Sequence, residues 1–274
     1  MRRLIAFMLT VAGLVSVSHT ADAKRSRSES AKRAPAQFLG LKPHGPLARV
    51  EGGVVVEPEG PACRTWHRDG REWKALDAFG RLVGTARVSG AERYDVTSCD
   101  ELTLERVSGR RGVGVFARGS YQPLAIDPWK PSVTARRRLE ELVAARDARL
   151  PKARSKKDVA LSRRMLAYRV KGRAPRVVVG GRAISVYRFE RGSWIVEREE
   201  LPCEASDLRK QSCRDTVWDP EMYRPIAVLD MNGDGRPEVV VHEAFLDSYA
   251  DFTLTETMSG VWKRIEAGIH GAFA

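Results

Sequence analysis

Short apolar runs separated by glycine-containing turns dominate the chain from residue 38 to residue 129. Val54–Val56, Leu82–Val88 and Leu102–Val107 are rich in β-branched and apolar residues, and turn residues separate them. Runs of this length and composition are typical of β-strands. We therefore predict a β-rich region over residues 38–129, built as an antiparallel sheet or a sheet sandwich.

A helical period replaces this pattern after Trp129. Ser132 is a candidate N-cap, and Pro151 marks the end of the periodic stretch. The apolar positions at helical spacing are Val133, Leu139, Leu142, Val143 and Leu150. Residues 159–170 fit either a second helix or a strand. We predict a helical segment and linker over residues 130–175.

Strand-like runs return in residues 176–274. We place an approximate boundary between the helical segment and this C-terminal module near Ala174–Pro175. The order strand, glycine turn, tryptophan, strand occurs twice, at residues 183–198 and 252–265. This is a weak internal duplication of a hairpin, although such turns are also common in β-meanders. The predicted fold class is α+β, predominantly antiparallel β, with one or two helices in the middle segment.

The N-terminus predicts export. Residues 1–23 combine Arg2 and Arg3, an apolar core at Leu4–Val17 and the A-x-A cleavage pattern Ala21-Asp22-Ala23. No other long apolar run follows, so we expect no transmembrane segment after cleavage and a secreted or periplasmic location. Residues 24–37 are polar and basic without a hydrophobic period, which predicts a disordered arm.

Four cysteines in an exported chain predict disulfides. They are Cys63, Cys99, Cys203 and Cys213, and they allow three pairings. The pair Cys203–Cys213 closes a short loop, which leaves Cys63–Cys99 to cross-link the first β region. The absence of C-x-x-C disfavours a thioredoxin-like redox site or a structural zinc.

Positive charge is concentrated in one part of the chain. Residues 130–176 hold 16 Lys and Arg against 4 Asp and Glu, while the chain as a whole has a formal net charge of +12. A basic face of this kind can bind polyanions, for example through Arg136, Arg137 and Arg138. It can equally be a solvated helix face. Export and the scarcity of interleaved aromatic residues disfavour nucleic acid as the partner.

The most specific chemistry lies in Ile226–Glu243. Oxygen-bearing side chains occupy positions 1, 3, 5 and 9 of one loop, namely Asp230, Asn232, Asp234 and Glu238. Ca²⁺ takes about six to eight oxygen ligands in a flexible shell, whereas Mg²⁺ requires a stricter octahedron. We therefore predict one Ca²⁺ site, with the backbone carbonyl of Arg236 as a fifth ligand. A metal-free acidic turn is the alternative, because Asn232-Gly233 alone favours a hairpin turn.

The loop differs from an EF-hand, because position 12 is Val241 and the flanks have the composition of strands. The pattern L-D-x-N-x-D-G-x-x-E-V-V-V instead resembles one copy of the calcium loop of FG-GAP and VCBS repeats, found in integrin-type β-propellers. The resemblance covers residues 226–243. It implies the same five ligands, and a partial or degenerate β-propeller as the alternative fold.

These observations favour an exported, non-enzymatic protein with a structural Ca²⁺ site. The resemblance implies a binding or scaffold role toward extracellular or envelope macromolecules, with the partner unidentified. The alternative is an envelope polyanion-binding protein that acts through residues 130–176. No nucleophile and base stand at a recognisable spacing, so no catalytic residue is assigned; a hydrolase with a dispersed catalytic set remains the third hypothesis.

Overall fold

The structure is a computed structural model that describes residues 36–40, 46–58, 72–92, 99, 101–109, 114–119, 121, 126–151, 161, 164–203, 213, 221–244 and 248–272. The predicted signal segment, residues 24–35 of the predicted arm, and Cys63 lie outside the described residues. Gln37, at the end of that arm, begins the first strand. Residues Pro35–Ala274 group as one compact unit.

Sixteen strands and one helix are described. The strands are β1 (Gln37–Leu39), β2 (Pro46–Glu51), β3 (Val54–Val56), β4 (Trp73–Leu76), β5 (Leu82–Glu92), β6 (Glu101–Gly109), β7 (Val115–Arg118), β8 (Ile126–Pro128), β9 (Met165–Val170), β10 (Arg176–Val179), β11 (Ile184–Glu190), β12 (Ser193–Glu200), β13 (Tyr223–Leu229), β14 (Glu238–Ala244), β15 (Ser248–Glu256) and β16 (Trp262–Ala272). The helix α1 is Val133–Asp147.

The strands form three antiparallel sheets. Their orders are β3-β2-β1-β7-β4-β5-β6, β12-β11-β10-β9-β8 and β13-β14-β15-β16. This confirms a β-rich α+β fold, with its described helix in the middle segment. Within the ambiguous stretch 159–170, residues 165–170 form a strand. The described strands do not close into a barrel or a propeller.

The four-stranded sheet lies between the other two sheets. Ala227 and Val240 on one face pack in a buried cluster with Phe38 of the seven-stranded sheet. Val239 on the opposite face packs with Val178 of the five-stranded sheet. A sheet covered on both faces requires consecutive apolar residues, which explains the buried run Val239–Val241.

Helix α1 packs on the outer face of the five-stranded sheet, but the face it buries differs from the prediction. Leu139 and Val143 are buried, whereas Val133 is 88% exposed and Leu142 is 39% exposed. The next inward position is Arg146, which is 2% exposed. Its guanidinium donates to the carbonyl of Val179 and is paired with Asp147, so its burial is compensated.

The predicted N-cap of α1 is present. The Ser132 hydroxyl accepts a hydrogen bond from the Ala135 backbone N–H at 3.2 Å. We expect Ser132→Ala to lower the free energy of unfolding by about 1 kcal/mol, because one N–H of the first turn loses its partner. Urea denaturation measures this, with exposed Thr134→Ala as the control. Equal stability of Ser132→Ala and the parent chain would contradict the cap.

Two consecutive four-stranded meanders, β9–β12 and β13–β16, share one layout. Arg176 opens β10 opposite Tyr168, and Glu238 opens β14 opposite Leu229. Each first connection contains a left-handed glycine, Gly172 or Gly233. Each ends in a proline, followed by one residue and then three valines. The hairpin duplication seen in the sequence therefore extends to whole meanders, and the boundary placed near residues 174–175 lies in the turn between two paired strands.

The disulfide prediction is confirmed at Cys203–Cys213, where the Cα atoms are 5.8 Å apart. Cys99 is also disulfide-bonded, while its predicted partner lies outside the described residues. In the described part of the chain, α1 is neither long nor apolar enough to span a bilayer.

Candidate metal-binding loop

The connection between β13 and β14 is the predicted calcium loop, closed by its own side chains. Asp230 accepts a hydrogen bond from the Gly233 N–H at 2.9 Å, and Asn232 accepts one from the Asp234 N–H at 3.0 Å. Gly233 and Gly235 have φ values of 73° and 80°. This left-handed region penalises other residues, so the two glycines permit the tight turn.

Two of the loop carboxylates are buried. Asp230 is 4% exposed and Glu238 is 1% exposed, whereas Asp234 is exposed. Glu238 Oε2 accepts from the Met231 N–H at 2.7 Å. Among the described residues, no arginine, lysine or histidine forms an ion pair with either buried carboxylate. Buried carboxylates without a countercharge are unfavourable.

The burial shifts the protonation of both groups. Burial and the charge of Asp234 together raise the pKa of Asp230 to about 6, although the hydrogen bond from the Gly233 N–H opposes the rise. Burial also raises the pKa of Glu238 well above its ordinary value, and the charges of Asp230 and Asp234 add to the effect. The three carboxylates therefore lie close enough to repel one another.

Other elements contribute groups to this site that carry no local signal in the sequence. The Thr255 hydroxyl on β15 donates to Glu238 Oε1 at 3.4 Å. Tyr121 packs in the same buried cluster as Leu229 and Met231, on either side of Asp230. Burial and the charges of Asp230 and Glu238 raise the pKa of its phenol. The turn after β4 docks beside the loop, where the Val228 N–H donates to the Ala78 carbonyl at 2.8 Å.

In the neighbouring meander β9–β12, the position equivalent to Glu238 is occupied by an arginine, Arg176. Arg176 is 6% exposed, and its guanidinium contacts Glu197 at 2.7 Å and Glu256 at 3.1 Å. Burial by itself lowers the pKa of Arg176, but these two carboxylates outweigh that effect and raise it. The first meander thus balances its buried charge with its own side chains. Within the described residues, the second meander has no such balance at Glu238.

The five predicted ligand residues are brought into one loop, but the four oxygen-bearing side chains among them accept hydrogen bonds from backbone N–H groups. Asp234 Oδ1, for example, accepts from the Arg236 N–H at 2.7 Å. In the described part of the chain, no three acidic, histidine or cysteine side chains stand in a geometry that would hold a metal ion. Ion binding therefore requires Asp234, which is exposed, to rotate toward the two buried carboxylates.

The two polar residues that follow on β14 face opposite sides of the sheet. His242 Nδ1 lies 2.8 Å from Asp251 on one face, and Glu243 pairs with Arg264 at 2.6 Å on the other. Glu243 also accepts from Tyr223, and burial raises the pKa of that phenol. His242 and Glu243 consequently do not form one acid and base pair.

The arginines proposed to bind polyanions are engaged within the molecule. Arg136 pairs with Glu140 at 3.0 Å, and Arg137 lies 3.9 Å from Glu141, each one helical turn along α1. Arg138 donates to the Gly192 carbonyl at 3.0 Å. Because each of these three arginines already has a partner, fewer unpaired positive charges lie on this helix face than the sequence suggests.

Comparison of the chain with protein-family models, with curated proteins and with solved structures gave no significant match.

Proposed function

We propose that this chain is an exported, non-enzymatic protein in which residues 230–238 bind one structural Ca²⁺ ion. The carrying observation is the pair of buried carboxylates, Asp230 and Glu238, which lack a cationic partner among the described residues. A divalent cation would neutralise both, and Asp234 at the exposed rim would complete the acidic set. The ligand set is Asp230, Asn232, Asp234, the Arg236 carbonyl and Glu238, all of them oxygen donors suited to Ca²⁺.

The arrangement supports a structural role for the ion. The loop joins the first two strands of the four-stranded sheet. Beside it, Tyr121 packs with Leu229 and Met231, and the turn after β4 bonds Val228. Ca²⁺ would therefore stabilise the junction between the central sheet and the seven-stranded sheet. A rigid exported β protein of this kind suits a binding or scaffold role, and the single FG-GAP or VCBS-like loop is consistent with that role.

Calcium binding is tested on residues 24–274 by thermal unfolding and calorimetry, in chelator and in Ca²⁺. We expect a dissociation constant on the order of 10⁻⁴–10⁻³ M, as in extracellular calcium modules. At a Ca²⁺ concentration about ten times that constant, the ion should stabilise the fold by about 1.4 kcal/mol. For a domain of this size the melting temperature should rise by about 3–6 °C.

Asp234→Asn is the matched variant for this experiment, because its side chain is exposed and the substitution keeps its size. It should weaken Ca²⁺ binding, and in chelator it should raise the melting temperature only slightly, because the charge that it removes is exposed but repels Asp230 and Glu238. A parent chain whose melting temperature is the same in chelator and in millimolar Ca²⁺ would exclude the proposed site.

A further inference from the structure

The connection between β9 and β10 is a charge-inverted counterpart of the loop between β13 and β14. Alignment of the two meanders on their strand registers pairs each oxygen-bearing loop position with a basic residue. The matched pairs are Asp230 with Arg169, Asn232 with Lys171, Asp234 with Arg173, and Glu238 with Arg176. The basic connection is one residue shorter, and the gap falls at Gly235.

Two of these four cations are already neutralised. Arg176 lies between Glu197 and Glu256, and Arg173 bonds Glu256 at 3.1 Å. They hold the five-stranded sheet against the four-stranded sheet. Their charges are therefore used inside the molecule.

The other two cations, Arg169 and Lys171, are exposed and pair with no carboxylate among the described residues. Asp127 is the residue opposite Arg169 on β8, but its carboxylate bonds Arg81 at 3.3 Å. Arg169 instead lies over the ring of Trp129, with its guanidinium carbon 5.9 Å from the ring centroid. This contact restrains the guanidinium without neutralising it.

Space beside the two cations is open. Gly172 follows Lys171 at the tip of the turn, with a φ of 77°, and a side-chain carbon added there would meet no atom within 4 Å. Arg169 lies near the end of β9 and Lys171 is the first residue of the turn that follows, and both side chains are exposed. A ligand can therefore reach both cations from solvent.

We infer that Arg169 and Lys171 form a binding site for phosphate-type oxyanions. A guanidinium held on an aromatic ring offers paired N–H donors to two oxygens of a phosphate, and the ammonium adds a mobile positive charge. The site is distinct from the Arg136–Arg138 face of α1. It is also independent of Ca²⁺, because none of its residues belongs to the loop at 230–238.

The test is a titration of residues 24–274 with inorganic pyrophosphate in chelator, followed by calorimetry and by Trp fluorescence. The double variant Arg169→Gln/Lys171→Gln should weaken binding by at least about tenfold, since two charge-assisted contacts are lost. The control Arg224→Gln/Lys263→Gln removes two exposed cations from the four-stranded sheet and should bind like the parent chain. Equal weakening in both double variants, or no binding by the parent chain, overturns the inference.

Sedimentation with vesicles distinguishes the two sources of such a phosphate. If the parent chain sediments with phosphatidylglycerol vesicles but not with phosphatidylcholine vesicles, and the Arg169/Lys171 variant does not, the ligand is a lipid headgroup. If pyrophosphate binds but vesicles do not, the ligand is a soluble phosphate. Vesicle binding that persists unchanged in the double variant counts against the site. Because chelator is present throughout, failure here leaves the calcium proposal untouched.

Discussion

Glu238→Gln is expected to stabilise the calcium-free protein at neutral pH and to abolish its response to Ca²⁺. The carboxylate is 1% exposed, and burial raises its pKa well above the ordinary value. Its charged form is therefore unfavourable in the folded state. Glutamine keeps an oxygen for the Met231 N–H and places an amide near Thr255, but it carries no charge to repel Asp230.

The pH dependence of the stability of the calcium-free protein follows from the neighbouring carboxylate, Asp230. The pKa of Asp230 rises from 3.8 to about 6 in the folded protein. The folded state then binds this proton more tightly than the unfolded chain, so stability falls as the pH rises from about 4 through 6. For Asp230, a shift of about two pKa units corresponds to about 3 kcal/mol. Glu238→Gln removes a second charge that is unfavourable in the folded state, so the variant should be more stable than the parent chain at pH 7.

Calcium should narrow the difference in stability between Glu238→Gln and the parent chain, because only the parent chain should respond to the ion. The ion requires the ionised carboxylates, so its stabilising effect on the parent chain should grow as the pH rises through about 6. Urea denaturation in chelator and in Ca²⁺, at several pH values, measures both effects. Asp234→Asn serves as the control that weakens binding without changing buried charge. If Glu238→Gln is less stable than the parent in chelator and still responds to Ca²⁺, the electrostatic account of the loop is wrong.

Arg176→Met is expected to destabilise the protein by about 3–5 kcal/mol, because it leaves two partly buried carboxylates without their main countercharge. The side chains of Glu197 and Glu256 are only 13% and 12% exposed. Arg173 and Arg188 also contact them, but both are more exposed and replace only part of the interaction.

The loss should be reversed when the acids are neutralised. Adding Glu197→Gln and Glu256→Gln to Arg176→Met should recover most of the stability, which a thermodynamic cycle measures as coupling. Arg188→Met removes a half-exposed partner of Glu197 and should cost less than about 1 kcal/mol. Additive effects of the three substitutions, with no recovery, would show that packing and not charge determines the role of Arg176.

Arg176 and Glu238 occupy matched positions of two similar meanders. One position carries a buried arginine with carboxylates around it, and the other carries a buried glutamate without a described cationic partner. The difference explains why only the second meander is proposed to need a bound ion. The acidic loop at residues 230–238 has a basic counterpart at residues 169–176 in the first meander.

Local patterns predicted the elements that depend on neighbouring residues. The flanks of the acidic loop form the paired strands β13 and β14, and Ser132 caps α1. Cys203 and Cys213 are bonded as their short separation favoured. The sequence did not predict that Arg146 lies on the inward face of α1. Its burial is possible because carbonyl groups of the sheet beneath accept its hydrogen bonds.

By itself, the sequence determined the strand–loop–strand unit at residues 226–243 and the oxygen-bearing residues within it. Turn chemistry, side-chain alternation and β-propensity all act over a few residues, so they are readable without the fold. Only the tertiary structure decided that Glu238 is buried, that Thr255, 17 residues away, contacts it, and that Arg176 occupies the equivalent position. Burial and charge balance depend on which sheets pack against each other, and this packing joins residues that are far apart in the chain.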